Sequence, residues 1–147
     1  MDTPQAGIER AIDFFEQLQP TDLSRMGDIY ATQARFKDPF NDVQGVAAIT
    51  RIFAHMFEQL NEPRFVVTQR VVHDTQCFVT WDFLFSTPSV QQGAPQCIRG
   101  ATHFQLTLEN GLWRISLHRD YWDAAEELYE KLPLIGPVLR WLKRRMA

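Results

Sequence analysis

The chain has 147 residues, 45% hydrophobic and 22% charged, which suits one domain around one hydrophobic core. A net charge of −3 argues against a nucleic-acid binder, and two cysteines, Cys77 and Cys97, with no CxxC spacing argue against a disulfide framework or structural zinc. The opening MDTPQAGIER lacks the basic and apolar regions of a signal peptide, and no apolar run reaches the roughly 18 residues of a membrane span, so the expected location is cytoplasmic.

In chain order, GIERAIDFFEQLQ places Ile8, Ala11, Ile12, Phe15 and Leu18 three and four residues apart, one face of a first helix that Pro20 ends. Thr21 or Asp22 can cap a second, short helix reaching about Tyr30. ARFKDPF reads as a short strand closed by Pro39, and NDVQG as a turn. VAAITRIFAHMFEQL gives a third helix with Ile49, Ile52, Phe53, Met56 and Leu60 on one side. The second half is strand-rich. RFVVTQRVVHD and QCFVTWDFLFS flank a turn near Asp74-Thr75, and CIRGATHFQLTLE and LWRISLHRDYW flank Asn110-Gly111, a strong hairpin signal. The tail returns to helix, broken between Pro133 and Pro137. It carries +5 from residue 131 onward, so the remainder carries −8. Helices followed by long antiparallel strands predict an α+β fold with a one-faced sheet curling around the helices.

This order, the Asp-Pro pair after a short strand and RDYWD at the end of the last strand resemble the nuclear-transport-factor-2-like superfamily. Its members include ketosteroid isomerases, limonene-epoxide hydrolases and SnoaL-like polyketide cyclases. The resemblance spans about residues 7 to 125. It implies a cone: a curved antiparallel sheet wrapped around three N-terminal helices, with a pocket in the open end. The domain is expected over residues 1–125, and residues 126–147, which the resemblance does not cover, are expected to form a basic amphipathic helical extension packed on it.

The resemblance also implies site residues. Ketosteroid isomerases keep an aspartate base at Asp38, but their oxyanion donors fall at Phe14 and Thr102. Epoxide hydrolases keep two acids at Asp82 and Asp120, while their arginine, tyrosine and asparagine fall at Thr80, Phe36 and Asp38. SnoaL-like cyclases use an acid on the last strand, matched by Asp120. The comparison turns Thr80, Asp82 and Leu84 inward on their strand, Thr102 and Phe104 on the next, and Ser116, His118 and Asp120 on the last. A slip of one residue would reverse each strand's assignment.

The implied pocket is an apolar cup of Phe14, Phe36, Phe40, Leu84 and Phe104, with Thr80 and Thr102, around Asp38, Asp82, His118 and Asp120. Clustered, desolvated carboxylates share protons, which suits acid–base chemistry on a small apolar molecule, with no cofactor called for. Each residue has a plainer reading. Asp38 before Pro39 suits a strand-to-turn cap, Asp120 suits pairing with Arg99, Arg114 or Arg119 or a helix cap, and His118 suits a satisfied core histidine. A metal held by Asp38, Asp82, His118 and Asp120 fits by ligand type, without the tight spacing a metal site shows. Val79, Trp81, Phe83 and Phe85 would form the outer sheet face. They are expected to pair two copies of the chain unless the tail covers them. The tail, PVLRWLKRRMA, suits docking on the core or a partner, or contact with an anionic membrane surface.

Overall fold

The computed structural model describes residues 1–127 together with Trp141, Arg144 and Arg145. Helix α1 (Pro4–Glu16) starts where Thr3 Oγ1 accepts the Ala6 N–H at 3.1 Å and Pro4 supplies a helix-ready φ. Its buried stripe is Ile8, Ala11, Ile12 and Phe15, as the spacing predicts. The predicted second helix is a 3₁₀ segment (Pro20–Arg25) followed by one turn, α2 (Met26–Ile29). Strand β1 then begins at Tyr30 and runs to Lys37. Part of NDVQG, expected as a turn, forms a short edge strand, β2 (Asp42–Gln44), paired antiparallel to β1. Helix α3 (Val46–Gln59) buries Ile49 and Phe53 against the sheet.

Strands β3 (Asn61–His73), β4 (Gln76–Ser86), β5 (Gln96–Glu109) and β6 (Leu112–Tyr121) form the antiparallel body of the sheet. The strand order is β2-β1-β6-β5-β4-β3, and β1 runs parallel to β6. The sheet is therefore mixed, where an all-antiparallel one was predicted. The parallel seam follows from the connection: the whole of α3 and the meander intervene between β1 and β6. Asn110 and Gly111 both adopt positive φ, 52° and 79°, the conformation that lets a two-residue turn follow the strand twist.

Register decides which side chains reach the interior. Directly paired residues of an antiparallel ladder point to the same face. Val79 pairs with Thr102, Trp81 with Gly100, and Phe83 with Ile98. The buried set on β4 is Cys77, Val79, Trp81, Phe83 and Phe85. Thr80, Asp82 and Leu84 point to the outer face, opposite to expectation. Thr80 pairs with Ala101 rather than Thr102, so Thr80 and Thr102 could not both point in. It follows that Trp81, Phe83 and Phe85 are core residues and cannot form an outer pairing surface. A bulge near Gln105 adds one residue to β6, so Ile115 is buried in the place alternation gives to Ser116. The Ser116 hydroxyl instead donates to the Gln105 carbonyl.

The core is the layer between α1, α3 and the concave face of the sheet. After β6, Asp123 Oδ1 caps the start of α4 (Ala124–Glu127). Buried Glu127 pairs there with Arg99, on the outer face of β5. The expected extension beyond Glu127 lies outside the described residues, apart from Trp141, Arg144 and Arg145. Among the described residues, no helix is long and apolar enough to cross a membrane.

Candidate functional site

A cavity of about 180 Å³ opens between the helices and the concave sheet face. Its walls are aromatic and aliphatic: Phe15 from α1, Phe53 and Met56 from α3, Phe65 from β3, Trp81 and Phe83 from β4, Phe104 from β5. The polar groups on the lining are Asp38, Thr102, His118 and Asp120, with the indole N–H groups of Trp81 and Trp122.

These groups are ordered by hydrogen bonds whose direction can be assigned. Trp81 Nε1 is only a donor, and it donates to Thr102 Oγ1 at 2.7 Å. The Thr102 hydroxyl proton is then available for Asp120 Oδ1, 2.5 Å away. The same Oδ1 lies 2.8 Å from His118 Nε2, and His118 Nδ1 lies 2.6 Å from the Tyr30 hydroxyl. Tyr30 is wholly buried and has no second polar partner among the described residues. If its oxygen accepted from Nδ1–H, its own proton would be stranded in an apolar core, at a cost of about 1–3 kcal/mol. Tyr30 therefore donates to Nδ1, and His118 is the neutral tautomer donating Nε2–H to Asp120. Burial, reinforced by the charge on Asp120, holds the Tyr30 phenol well above its usual ionisation range, consistent with its role as a donor.

Packing fixes the members of this chain. His118 touches the rings of Phe15, Phe36 and Phe104, with centroids 5.4, 4.6 and 5.0 Å away. Trp81 lies flat over Gly100, where an added Cβ would sit 2.5 Å from the indole. Only glycine at that register position lets the indole lie down and reach Thr102. Asp120 Oδ1 is thus doubly bonded, while among the described residues no group donates to Oδ2. Its side chain is 14% exposed and lines both the cavity and the adjoining depression bordered by Lys37 and Arg119.

Asp38 also borders the cavity, but its carboxylate closes a turn. Oδ1 accepts the backbone N–H groups of Phe40 and Asn41 at 2.8 and 2.6 Å, and Asn41 Nδ2 bonds both oxygens. The cap reading of the Asp-Pro pair is the observed geometry. Of the remaining expected residues, Phe36, Thr102, Phe104, His118 and Asp120 line the cavity. Phe40 lies half exposed against Trp122. Phe14 lies off the cavity lining, under the Arg25 guanidinium. On the outer face, Thr80 bonds Thr68 and Asp82 pairs across the ladder with Arg99, while Leu84 borders a separate groove. With Asp82 turned away, the four-residue metal set is not assembled. Among the described residues, no group of three or more His, Cys, Asp or Glu side chains could hold a metal ion. Tyr30 and Trp81 were not foreseen as site residues. Tyr30 sits in sequence at the end of a helical pattern, and its partner His118 is 88 positions away.

A family model described as SnoaL-like domain matches residues 11–115, most of the chain. The chain belongs to this family. No curated protein matches the sequence. Solved structures share the fold at low identity. A SnoaL-like polyketide cyclase candidate from Shewanella putrefaciens superposes with TM-score 0.70 at 15% identity, over 89% of this chain and 96% of that one. A hypothetical protein with a ketosteroid-isomerase-like fold from Catenulispora acidiphila, in complex with trimethylamine, gives 0.69 at 15%, covering 86% and 93%. An epoxide hydrolase from M. tuberculosis, described as like the limonene-epoxide hydrolases, gives 0.64 at 16%, covering 91% and 94%. The SnoaL-like assignment thus carries the predicted cone fold. The reaction has to be argued from this chain's own cavity.

Proposed function

We propose that this SnoaL-like protein binds a small, largely apolar molecule and acts on it by general acid–base chemistry, with Asp120 as the base. The observation that carries the reading is the chain Trp81–Thr102–Asp120–His118–Tyr30. It engages one oxygen of Asp120 with two donors, leaves the other without a donor among the described residues, and sets the carboxylate on the wall of a largely apolar cavity. A carboxylate held in a single orientation needs little rearrangement to react. His118 holds the carboxylate in place through its Nε2–H, with Tyr30 fixing the tautomer that makes this possible. Asp38, committed to its turn, is left a structural role at the cavity mouth. The lining keeps neither oxyanion donor of the ketosteroid isomerases, so their reaction is not the one proposed.

A substrate-independent probe tests this. 5-Nitrobenzisoxazole is flat, uncharged and aromatic. A base removes its C3 proton, the C–H electrons form a nitrile, and the N–O bond breaks to release a coloured phenolate. The protein should accelerate this ring opening well beyond acetate at equal concentration. Asp120→Asn should lower the rate by about a hundredfold or more. A variant as fast as the parent would remove Asp120 as the base.

One further observation supports self-association through the sheet's outer face, with residues other than those first expected. Val71, Phe78 and Tyr121 are exposed there, and the Phe78 ring stacks on His103 at 4.3 Å. We propose a second copy of this chain as the occupant.

A further inference from the structure

We infer that the cavity is built for a small organic cation, an alkyl- or arylammonium whose positive head lies against Asp120. This rests on reading the cavity as a ligand site. The first support is the charge of the lining. It contains Asp38 and Asp120 but neither lysine nor arginine. The nearest cations, Lys37 and Arg119, border an adjoining, more open depression that shares Asp38, Asp120 and Trp122 with the cavity, and they lie outside the cavity lining itself.

The second support is that His118 does not neutralise Asp120. The buried Tyr30 hydroxyl needs the Nδ1 lone pair, so the imidazole brings one proton and no charge. The imidazole therefore offers Asp120 a hydrogen bond without a counter-charge, which a cationic ligand would supply.

The third support is the wall. Phe36, Phe53, Phe65, Trp81, Phe104 and Trp122 surround the space, and aromatic faces attract cations. Donors toward the ligand are nearly all spent, because Trp81 serves Thr102, Thr102 serves Asp120 and His118 serves Asp120. The Trp122 indole is the remaining neutral donor on the lining. Such a site offers acceptors, negative charge and π faces. It therefore suits a ligand that brings positive charge, and it repels a carboxylate or phosphate.

Three probes of one shape separate the possibilities: choline, its uncharged carbon isostere 3,3-dimethyl-1-butanol, and the anion 3,3-dimethylbutanoate. Each is titrated into the full chain by calorimetry at low salt. Choline should bind at least about tenfold more tightly than the alcohol, as expected for a desolvated cation among rings and a carboxylate. The anion should not bind. Asp120→Asn should erase the preference for choline over the alcohol. Equal affinities for choline and the alcohol in the parent protein would overturn the cation inference and leave the ligand site standing. Failure of all three probes and of the benzisoxazole to bind would overturn both.

Discussion

Tyr30 shows how much a single hydroxyl can determine. It sits at the first position of β1 and is buried on all sides. Its one polar contact among the described residues fixes the tautomer of His118 and through it the hydrogen bond that His118 gives Asp120. An unfolded tyrosine ionises near 10, whereas folded Tyr30 is held above that by burial first and by Asp120 second. Above about pH 10 the unfolded chain therefore releases a proton that the native state retains. The stability tied to Tyr30 is complete below pH 10 and falls as pH rises toward the folded value. Tyr30→Phe should flatten the alkaline limb of a stability–pH curve measured by urea unfolding, and superimposable limbs would contradict this. The β4 residues carry a second lesson at this scale. Cys77, Val79, Trp81, Phe83 and Phe85 form the more apolar of the two alternating sets, and plain alternation points them inward. An inward Asp82, as the epoxide-hydrolase resemblance implies, would require the opposite phase. The pairing of Trp81 with Gly100 shows why the reversal fails, since the indole needs the missing side chain.

At the scale of elements, the turn after β1 does what its sequence says. Asp38 bonds the N–H groups of Phe40 and Asn41, and the Asp38 N–H bonds back to the Asn41 carbonyl at 2.9 Å. This turn delivers the chain into β2 and sets the cavity mouth. Asp38→Ala should cost about 1–2 kcal/mol in urea unfolding, the usual loss for a capping carboxylate, while the benzisoxazole rate changes little. A large rate loss without a stability loss would return Asp38 to the chemistry. The helices were readable because their apolar stripes repeat without interruption, and the β5–β6 hairpin because Asn110-Gly111 demands it. The parallel pairing of β1 with β6 and the bulge at Ser116 were not readable. Both arise from contacts between segments far apart in sequence, which no local pattern encodes.

For the whole molecule, the cone keeps two surfaces apart: a concave face that makes the cavity and an outer face on which Phe78 and Val71 are exposed. The parent chain should sediment as a dimer and Phe78→Lys as a monomer, with the probe reaction retained. A monomeric parent would remove this interface. The fold could be read from the sequence because composition and order constrain the architecture strongly, whereas of the cavity lining only Phe36, Asp38, Thr102, Phe104, His118 and Asp120 were expected and the walls from α1, α3, β3 and β4 were not. The ranking of the acids could not be read, since it depends on hydrogen-bond partners supplied by four different strands. The most direct test of the account is therefore a comparison of two variants. The benzisoxazole ring-opening rate is measured for the parent, Asp38→Asn and Asp120→Asn, each confirmed folded by circular dichroism. The account predicts that Asp38→Asn stays within a few-fold of the parent, while Asp120→Asn falls by about a hundredfold or more. The reverse order, or equal losses in both, would contradict it.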